Sequence, residues 1–198
     1  MNVPHPKTQI YRSISSWCDG KDRQFDFPFV FKLDWGGEGN NVHLVHTEEE
    51  LEDCLVKAEA WENKQKKPGF VLQQYIPTGG QSLRVVVINQ KYFSYWRRGP
   101  EGCDSFYSNI AKGASIDQQA DPHLQQAAVT TLKKFCQQTK INLAGFDFIF
   151  NKDDSDTTPY FLEINYCFRT KGLGGPRVYQ QLLEQGVREW LTKIGPLS

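Results

Sequence analysis

The stretch that most constrains this chain lies near its end. Ala144-Gly-Phe-Asp-Phe-Ile-Phe150 leads into a polar loop, Asn151–Thr157, and then into Thr158-Pro-Tyr-Phe-Leu-Glu-Ile-Asn165. Both arms are rich in aromatic and β-branched residues and alternate with period two, which is the pattern of half-buried strands. Alternation puts Phe146, Phe148 and Phe150 on one face and Asp147 on the other. Glu163 and Asn165, two apart, share a face. A hairpin centred on the loop with a symmetric register sets Phe150 opposite Tyr160 and Asp147 opposite Glu163. Directly opposed residues have Cβ atoms about 5 Å apart. Two carboxylates and an amide oxygen then meet on one patch of sheet. Like charges at that spacing repel, so the patch favours a cation, and an all-oxygen donor set suits Mg²⁺. Without metal, one of the two carboxyls is expected to have a raised pKa. A lone Glu-x-Asn on a strand is more often a solvent-facing pair, so the remainder of the chain decides its meaning.

Composition closes several other routes. With 198 residues, 39% hydrophobic and 23% charged, the chain can bury one sizeable core or two smaller ones. Lys plus Arg and Asp plus Glu both total 23, so nothing recommends a nucleic-acid or membrane surface. No apolar run approaches the ~18 residues of a membrane span, and the N-terminus has no apolar signal region. Five cysteines, without a Cys-x-x-Cys pair, fit free thiols in a reducing cytoplasm. Cys167 reads as a buried or half-buried packing thiol.

Before the hairpin, several further segments carry signals. A short helix is expected over Thr8–Cys18. Phe29-Val-Phe-Lys-Leu33 reads as a strand, followed by Asp34-Trp-Gly-Gly-Glu-Gly-Asn-Asn41 and a second strand, Val42–Val45. Such a glycine tip can donate backbone N–H groups to an anion, with Lys32 able to reach phosphates. It can equally be an ordinary flexible hairpin. No Gly-Lys-Ser/Thr follows, so it is not a Walker loop. Thr47-Glu-Glu-Glu50 is a capping box that opens a helix ending in a basic run before Pro68-Gly69. Gly69–Ile76 is a strand. Leu83–Ile88 and Lys91–Trp96 form a tight hairpin about Asn89-Gln90. Asp121-Pro122 starts a further helix, and Pro176 starts the last one.

Taken in order, these segments resemble the ATP-grasp superfamily, closest to its glutamate-ligase-like branch that modifies ribosomal proteins. Phe29-Val-Phe-Lys32 with Gly36, Gly37 and Gly39 resembles its lysine strand and phosphate-covering loop. Leu72-Gln-Gln-Tyr-Ile-Pro77 is similar to the linker whose backbone meets adenine. Ser82-Leu-Arg-Val-Val-Val87 resembles its Asp-Ile-Arg-Val-x-Val strand, with Ser82 in place of the acid. Arg97 and Phe106–Gly113 resemble its arginine and its Asn-x-x-Arg/Lys-Gly segment. Asp147, Glu163 and Asn165 match its magnesium triad. On this resemblance the family's N-terminal domain is expected to be absent from this chain.

The resemblance implies an α+β, ATP-grasp fold with two antiparallel-sheet lobes holding ATP between them. It implies a lead-in segment over 1–27, a small nucleotide-binding lobe over 28–76 and a larger lobe with the metal site over 77–198. The implied activity is an ATP-dependent carboxylate–amine ligase working through an acyl phosphate, with ATP and Mg²⁺ or Mn²⁺ as cofactors. Lys32, Gly36, Gly37, Gly39, Gln73, Gln74, Tyr75 and Ile76 would meet the nucleotide. Arg84, Arg97, Asn109 and Lys112 would steady the acyl phosphate, and Asp147, Glu163 and Asn165 would hold the metal. Arg169 and Lys171 flank a glycine loop and are candidates for an anionic substrate group. Partners would be carboxylate and amine substrates (an amino acid or peptide), with a separate N-terminal domain or a second copy completing the pocket. A non-catalytic ATP-binding regulatory module and a phosphotransferase of the same fold are the alternatives.

Overall fold

A computed structural model describes residues 3–19, 23–24, 26–33, 41–65, 69–99 and 114–194. The chain forms two compact units, His5–Pro77 and Met1–Pro4 with Thr78–Ser198.

In the His5–Pro77 unit, β1 (Thr8–Tyr11), β2 (Phe29–Leu33), β3 (Val42–Val45) and β4 (Phe70–Gln74) make one antiparallel sheet in the order β1-β4-β2-β3. Alternation along β2 sends Phe29 and Phe31 to the face covered by α2 (Glu48–Gln65), where they are buried with Phe70, Leu72, Leu51, Cys54 and Ala58. Each large apolar side chain so buried contributes about 1.5–3 kcal/mol. The opposite face carries Val30, Lys32 and Gln73. Thr47 accepts from the Glu50 N–H, while the Glu50 carboxylate reaches back to the His46 N–H, so the predicted capping box forms one residue offset.

The expected helix over Thr8–Cys18 is half wrong. Thr8–Tyr11 is an edge strand paired to β4, and only Ile14–Asp19 (α1) is helical. The strand is held by backbone pairing; Tyr11 stacks on Phe70 in the core while Ile10 stands 74% exposed, so the apolar pattern is too short to mark the strand.

In the second unit, β5 (Gln81–Ile88), β6 (Lys91–Arg98), β7 (Ser115–Asp117), β8 (Leu143–Ile149) and β9 (Tyr160–Asn165) form an antiparallel sheet ordered β7-β6-β5-β8-β9. Asn89 and Gln90 both have positive φ, as a two-residue hairpin turn requires. Leu83, Val85, Val87, Trp96, Phe146 and Phe148 bury one face beneath α3 (Pro122–Thr139). Asp121 occupies the N-cap of α3 but does not cap it with its side chain. Its carboxylate lies 3.4 Å from Arg98 instead.

The other face divides in two. Val86, Ile88 and Tyr95 pack with Leu173, Phe168, Tyr179 and Leu182 from the following turn and α4 (Pro176–Ile194). Arg84, Arg97, Asp147 and Glu163 occupy the rest. β5, central in the sheet and covered on both faces, is buried from Ser82 to Ile88.

The hairpin of β8 and β9 keeps Asp147 opposite Glu163 and Gly145 opposite Asn165. Phe150 is not opposite Tyr160, however. A register shift between Asp147 and Phe148 pairs Phe148 with Phe161 and Ile149 with Tyr160, leaving Leu162 as the additional residue of a bulge. In a regular strand Phe161 and Glu163 would share a face. The bulge turns Phe161 onto Phe146, Phe148 and Phe135 while Glu163 stays beside Asp147.

Among the described residues, no helix is long and apolar enough to cross a membrane. Cys54 and Cys136 are buried thiols, but Cys167 is exposed, contrary to its reading as a packing thiol.

Candidate functional site

Strand order creates the site. β5 lies between β6 and β8, so Tyr95, Arg84, Asp147 and Glu163 form one continuous row of cross-strand neighbours. Arg84 spans the gap to Asp147 with a two-pronged contact: Nε donates to Oδ1 at 2.6 Å and Nη2 to Oδ2 at 2.6 Å. Such fork-on-carboxylate pairs are among the strongest side-chain hydrogen bonds. Gly145 leaves the room needed. A Cβ there would lie 3.3 Å from Arg84 Cδ and 3.3 Å from Phe168 Cβ.

Arg97 reaches the same carboxylate, with Nη2 3.0 Å from Asp147 Oδ2. Its Nε and Nη2 also donate to Ser82 Oγ at 3.1 and 2.8 Å. Asn165 Nδ2 donates to Asp147 Oδ2 at 3.3 Å and to Glu163 Oε1 at 3.0 Å. Asp147 is therefore 2% exposed yet fully engaged, whereas Glu163 is exposed.

The electrostatics follow from these contacts. Burial, the largest influence, pushes the Asp147 carboxyl up. The charge of Arg97 and the hydrogen bond and charge of Arg84 outweigh it, and Asp147 ends below the usual carboxylate range. Burial pulls the Arg84 guanidinium down, but its bond to Asp147 more than compensates and its pKa is raised. Asp147 is thus the carboxyl of the pair that is not raised, because two guanidinium groups supply positive charge beside it.

Tyr95 closes the row. Its ring lies flush against Gly172, where a Cβ would fall 2.1 Å from Tyr95 Cζ. Gly172 sits in a short 3₁₀ turn, Lys171–Leu173, whose Gly172 carbonyl accepts from Gln118 Nε2 at 2.8 Å. Arg169 and Lys171 flank this turn and are exposed. Gly145, Tyr95 and Gly172 went unremarked in the sequence. Only Gly145 carries a visible signal, since a glycine inside a strand marks a close approach.

The residues predicted to meet nucleotide belong to the His5–Pro77 unit. Lys32 Nζ donates to Gln73 Oε1 at 2.7 Å, and Gln73 Nε2 donates to Thr8 Oγ1 at 3.0 Å. Gln74 exchanges backbone and side-chain bonds with Lys7, and Ile76 is buried. Gly36, Gly37, Gly39, Asn109 and Lys112 lie outside the described residues.

The donor chemistry of Asp147, Glu163 and Asn165 fits a small divalent cation: two carboxylates and an amide brought side by side. The amide now presents its nitrogen to both carboxylates, and turning it over would present its oxygen. Among the described residues no group of three His, Cys, Asp or Glu side chains could hold a metal by itself, so the amide oxygen would have to complete the set.

Solved structures that share this fold include two ligases and a RimK domain ATP-grasp protein. The D-alanine–D-alanine ligase of Bacillus anthracis complexed with ATP matches with a TM-score of 0.62 at 17% identity, over 94% of this chain and 61% of that one. An L-amino acid ligase from Bacillus licheniformis matches with a TM-score of 0.61 at 19% identity, over 86% and 41%. A RimK domain protein from Sphaerobacter thermophilus DSM 20745 matches with 0.57 at 17%, over 92% and 60%. The two antiparallel sheets and their helices thus define an ATP-grasp fold.

The family model of the RimK-like ATP-grasp domain matches residues 2–177, and the chain belongs to that family. It is also 29% identical over 145 residues to an uncharacterized MG012 homolog of Mycoplasma pneumoniae (strain ATCC 29342 / M129 / Subtype 1). That match takes in 72% of this chain and 44% of that protein, so the chain spans less than half the length of this relative.

Proposed function

We propose that this chain is the ATP-grasp portion of a ligase that joins a carboxylate to an amine at the expense of ATP. The observation that carries the reading is the row Arg84–Asp147–Glu163 with Arg97 beside it. A buried guanidinium (Arg84), a half-buried one (Arg97) and an acid-amide donor set share one sheet face. This is what phosphoryl transfer to a carboxylate needs. Charge builds on transferring oxygens, and the protein's work is positioning and charge stabilisation.

In the proposed reaction a substrate carboxylate oxygen attacks the γ-phosphorus. The bond to the β-bridging oxygen breaks and ADP leaves with the electron pair. The amine nitrogen then attacks the acyl carbon, phosphate departs, and the amine loses a proton to solvent. The carboxylate is already ionised at neutral pH, so the first step needs no general base. Arg84 and Arg97 neutralise the acyl phosphate, and Asp147 fixes the guanidinium plane of Arg84. Glu163, Asn165 and one Asp147 oxygen would hold Mg²⁺, which supplies charge neutralisation for the phosphate oxygens. Lys32 supplies a phosphate contact, and the backbone of Gln73–Ile76 an adenine contact. The roles of Gly36, Gly37, Gly39, Asn109 and Lys112 follow from the family resemblance.

The test is ADP release from ATP with pools of amino acids and short peptides, with and without Mg²⁺, and mass analysis of the products. Amide formation stoichiometric with ADP supports the reading. A stable phosphorylated product would make the protein a phosphotransferase, and ATP binding without turnover would make it a regulatory module. Either result refutes the proposal.

A further inference from the structure

The cluster has a charge ledger that bears on how a cation and an anion share it. Arg84 and Arg97 carry two positive charges, and Asp147 and Glu163 two negative ones. As the structure stands, Asp147 Oδ2 accepts from Arg84, Arg97 and Asn165, while Oδ1 accepts from Arg84. A divalent cation arriving alone would meet a carboxylate whose lone pairs are largely taken and two cations within contact distance of it.

The two arginines are not equivalent. Arg84 holds Asp147 with two short bonds of 2.6 Å each and has a side chain 9% exposed. Arg97 holds it by one longer contact at 3.0 Å and also donates to the uncharged hydroxyl of Ser82. Of the two, Arg97 gives up less on leaving Asp147.

We propose that Arg97 is an exchangeable occupant of the cation position: it blocks divalent metal at Asp147 until an anionic phosphate draws it away. Metal and phosphate then bind cooperatively, not because they touch but because one guanidinium cannot serve both Asp147 and the phosphate. Arg84 stays on Asp147 throughout as its permanent counter-ion. Linkage makes the effect reciprocal, and couplings of this kind typically run from about 5- to 150-fold. The phosphate half of this inference rests on the ATP reading above, whereas the metal half does not.

The experiment titrates Mn²⁺, followed by its electron paramagnetic resonance, into nucleotide-free protein. It separately titrates a non-hydrolysable ATP analogue in the presence of a chelator. Arg97→Gln should tighten nucleotide-free Mn²⁺ binding by about tenfold or more, and weaken metal-free analogue binding by a similar factor. Arg97→Lys, which keeps the charge, should hold Mn²⁺ affinity near that of the unmodified protein. Adding Asp147→Asn to Arg97→Gln should abolish the gain.

Three results overturn the inference: tight Mn²⁺ binding by the unmodified protein without nucleotide, an Arg97→Gln variant with unchanged Mn²⁺ affinity, or a gain that survives loss of the Asp147 charge. Arg97→Met serves if the glutamine variant does not fold. Failure of the unmodified protein to bind the analogue would refute the ATP reading instead, and the Mn²⁺ titration would still decide whether Arg97 guards Asp147.

Discussion

Replacing Asp147 by Asn keeps its shape and removes its charge, and the structure sets the expected cost. Asp147 is 2% exposed, and its loss of charge leaves two guanidinium groups, 9% and 12% exposed, without their shared counter-ion. Removing one partner of a buried pair costs about 3–5 kcal/mol, and orphaning two cations places Asp147→Asn at the upper end. Arg84→Met leaves Asp147 still paired to Arg97, so it should cost about 3 kcal/mol. The double variant has no buried Arg84–Asp147 pair left to break. It should cost about as much as Asp147→Asn alone, a coupling of roughly 2–3 kcal/mol. Urea unfolding of the four proteins measures this, and for a chain of this size each kcal/mol corresponds to about 2–4 °C in Tm. Because Asp147 has a lowered pKa in the folded protein, its stabilisation is complete above the unfolded carboxyl value near 4. It fades as pH falls through the lower folded value, and Asp147→Asn should flatten that acid limb. Single-variant costs that add within about 0.5 kcal/mol would refute the account, since neighbours sharing one ion pair cannot behave independently.

Three further perturbations test other parts of the structure. Glu163 is exposed, so Glu163→Gln should change stability by less than about 0.5 kcal/mol while lowering metal-dependent turnover far more; equal losses in unfolding and kinetic assays would count against a site role. Gly172→Ala would drive a methyl to 2.1 Å from the 1%-exposed Tyr95 ring and should cost about 1–3 kcal/mol in chemical denaturation, less in a Tyr95→Leu background. Lys32→Ala removes a bond to Gln73 that contributes about 1 kcal/mol; ATP affinity by calorimetry should fall by roughly 10- to 100-fold, and an unchanged affinity removes Lys32 from the nucleotide contacts.

The pairing of Asp147 with Glu163 was legible because it needs only local information: period-two alternation and a hairpin folded about its polar loop. The guanidinium partners were named in the sequence, but their convergence on Asp147 was not. Arg84 and Asp147 are 63 residues apart, and they meet only because β5 inserts between β6 and β8. Nothing in either strand's own pattern states that order. The Thr8–Tyr11 strand was misread for a related reason. Four residues with an exposed Ile10 carry no face-marking period, and what makes them a strand is backbone bonding to Phe70–Gln73, far along the chain. The start of α4 at Pro176 and the Asn89-Gln90 turn, which depend on intrinsic backbone preference, were read correctly.

The bulge at Leu162 has a consequence for solubility as well as for the site. β9 ends its sheet, and the margin of a sheet is a template on which foreign strands can assemble. A one-residue irregularity breaks the even repeat that such a strand would have to match. Close beside it, the Phe161 N–H donates to the carbonyl of Pro4 at 2.8 Å, so a proline-containing stretch of the protein's own N-terminal segment already occupies part of that margin. The distortion that divides β9 between core and site therefore also spoils it as a seed for cross-molecular stacking. Deleting Leu162 would make Phe161 and Glu163 consecutive, which keeps them on opposite faces, so a regular margin would return and aggregation should rise while the charged row stays in place.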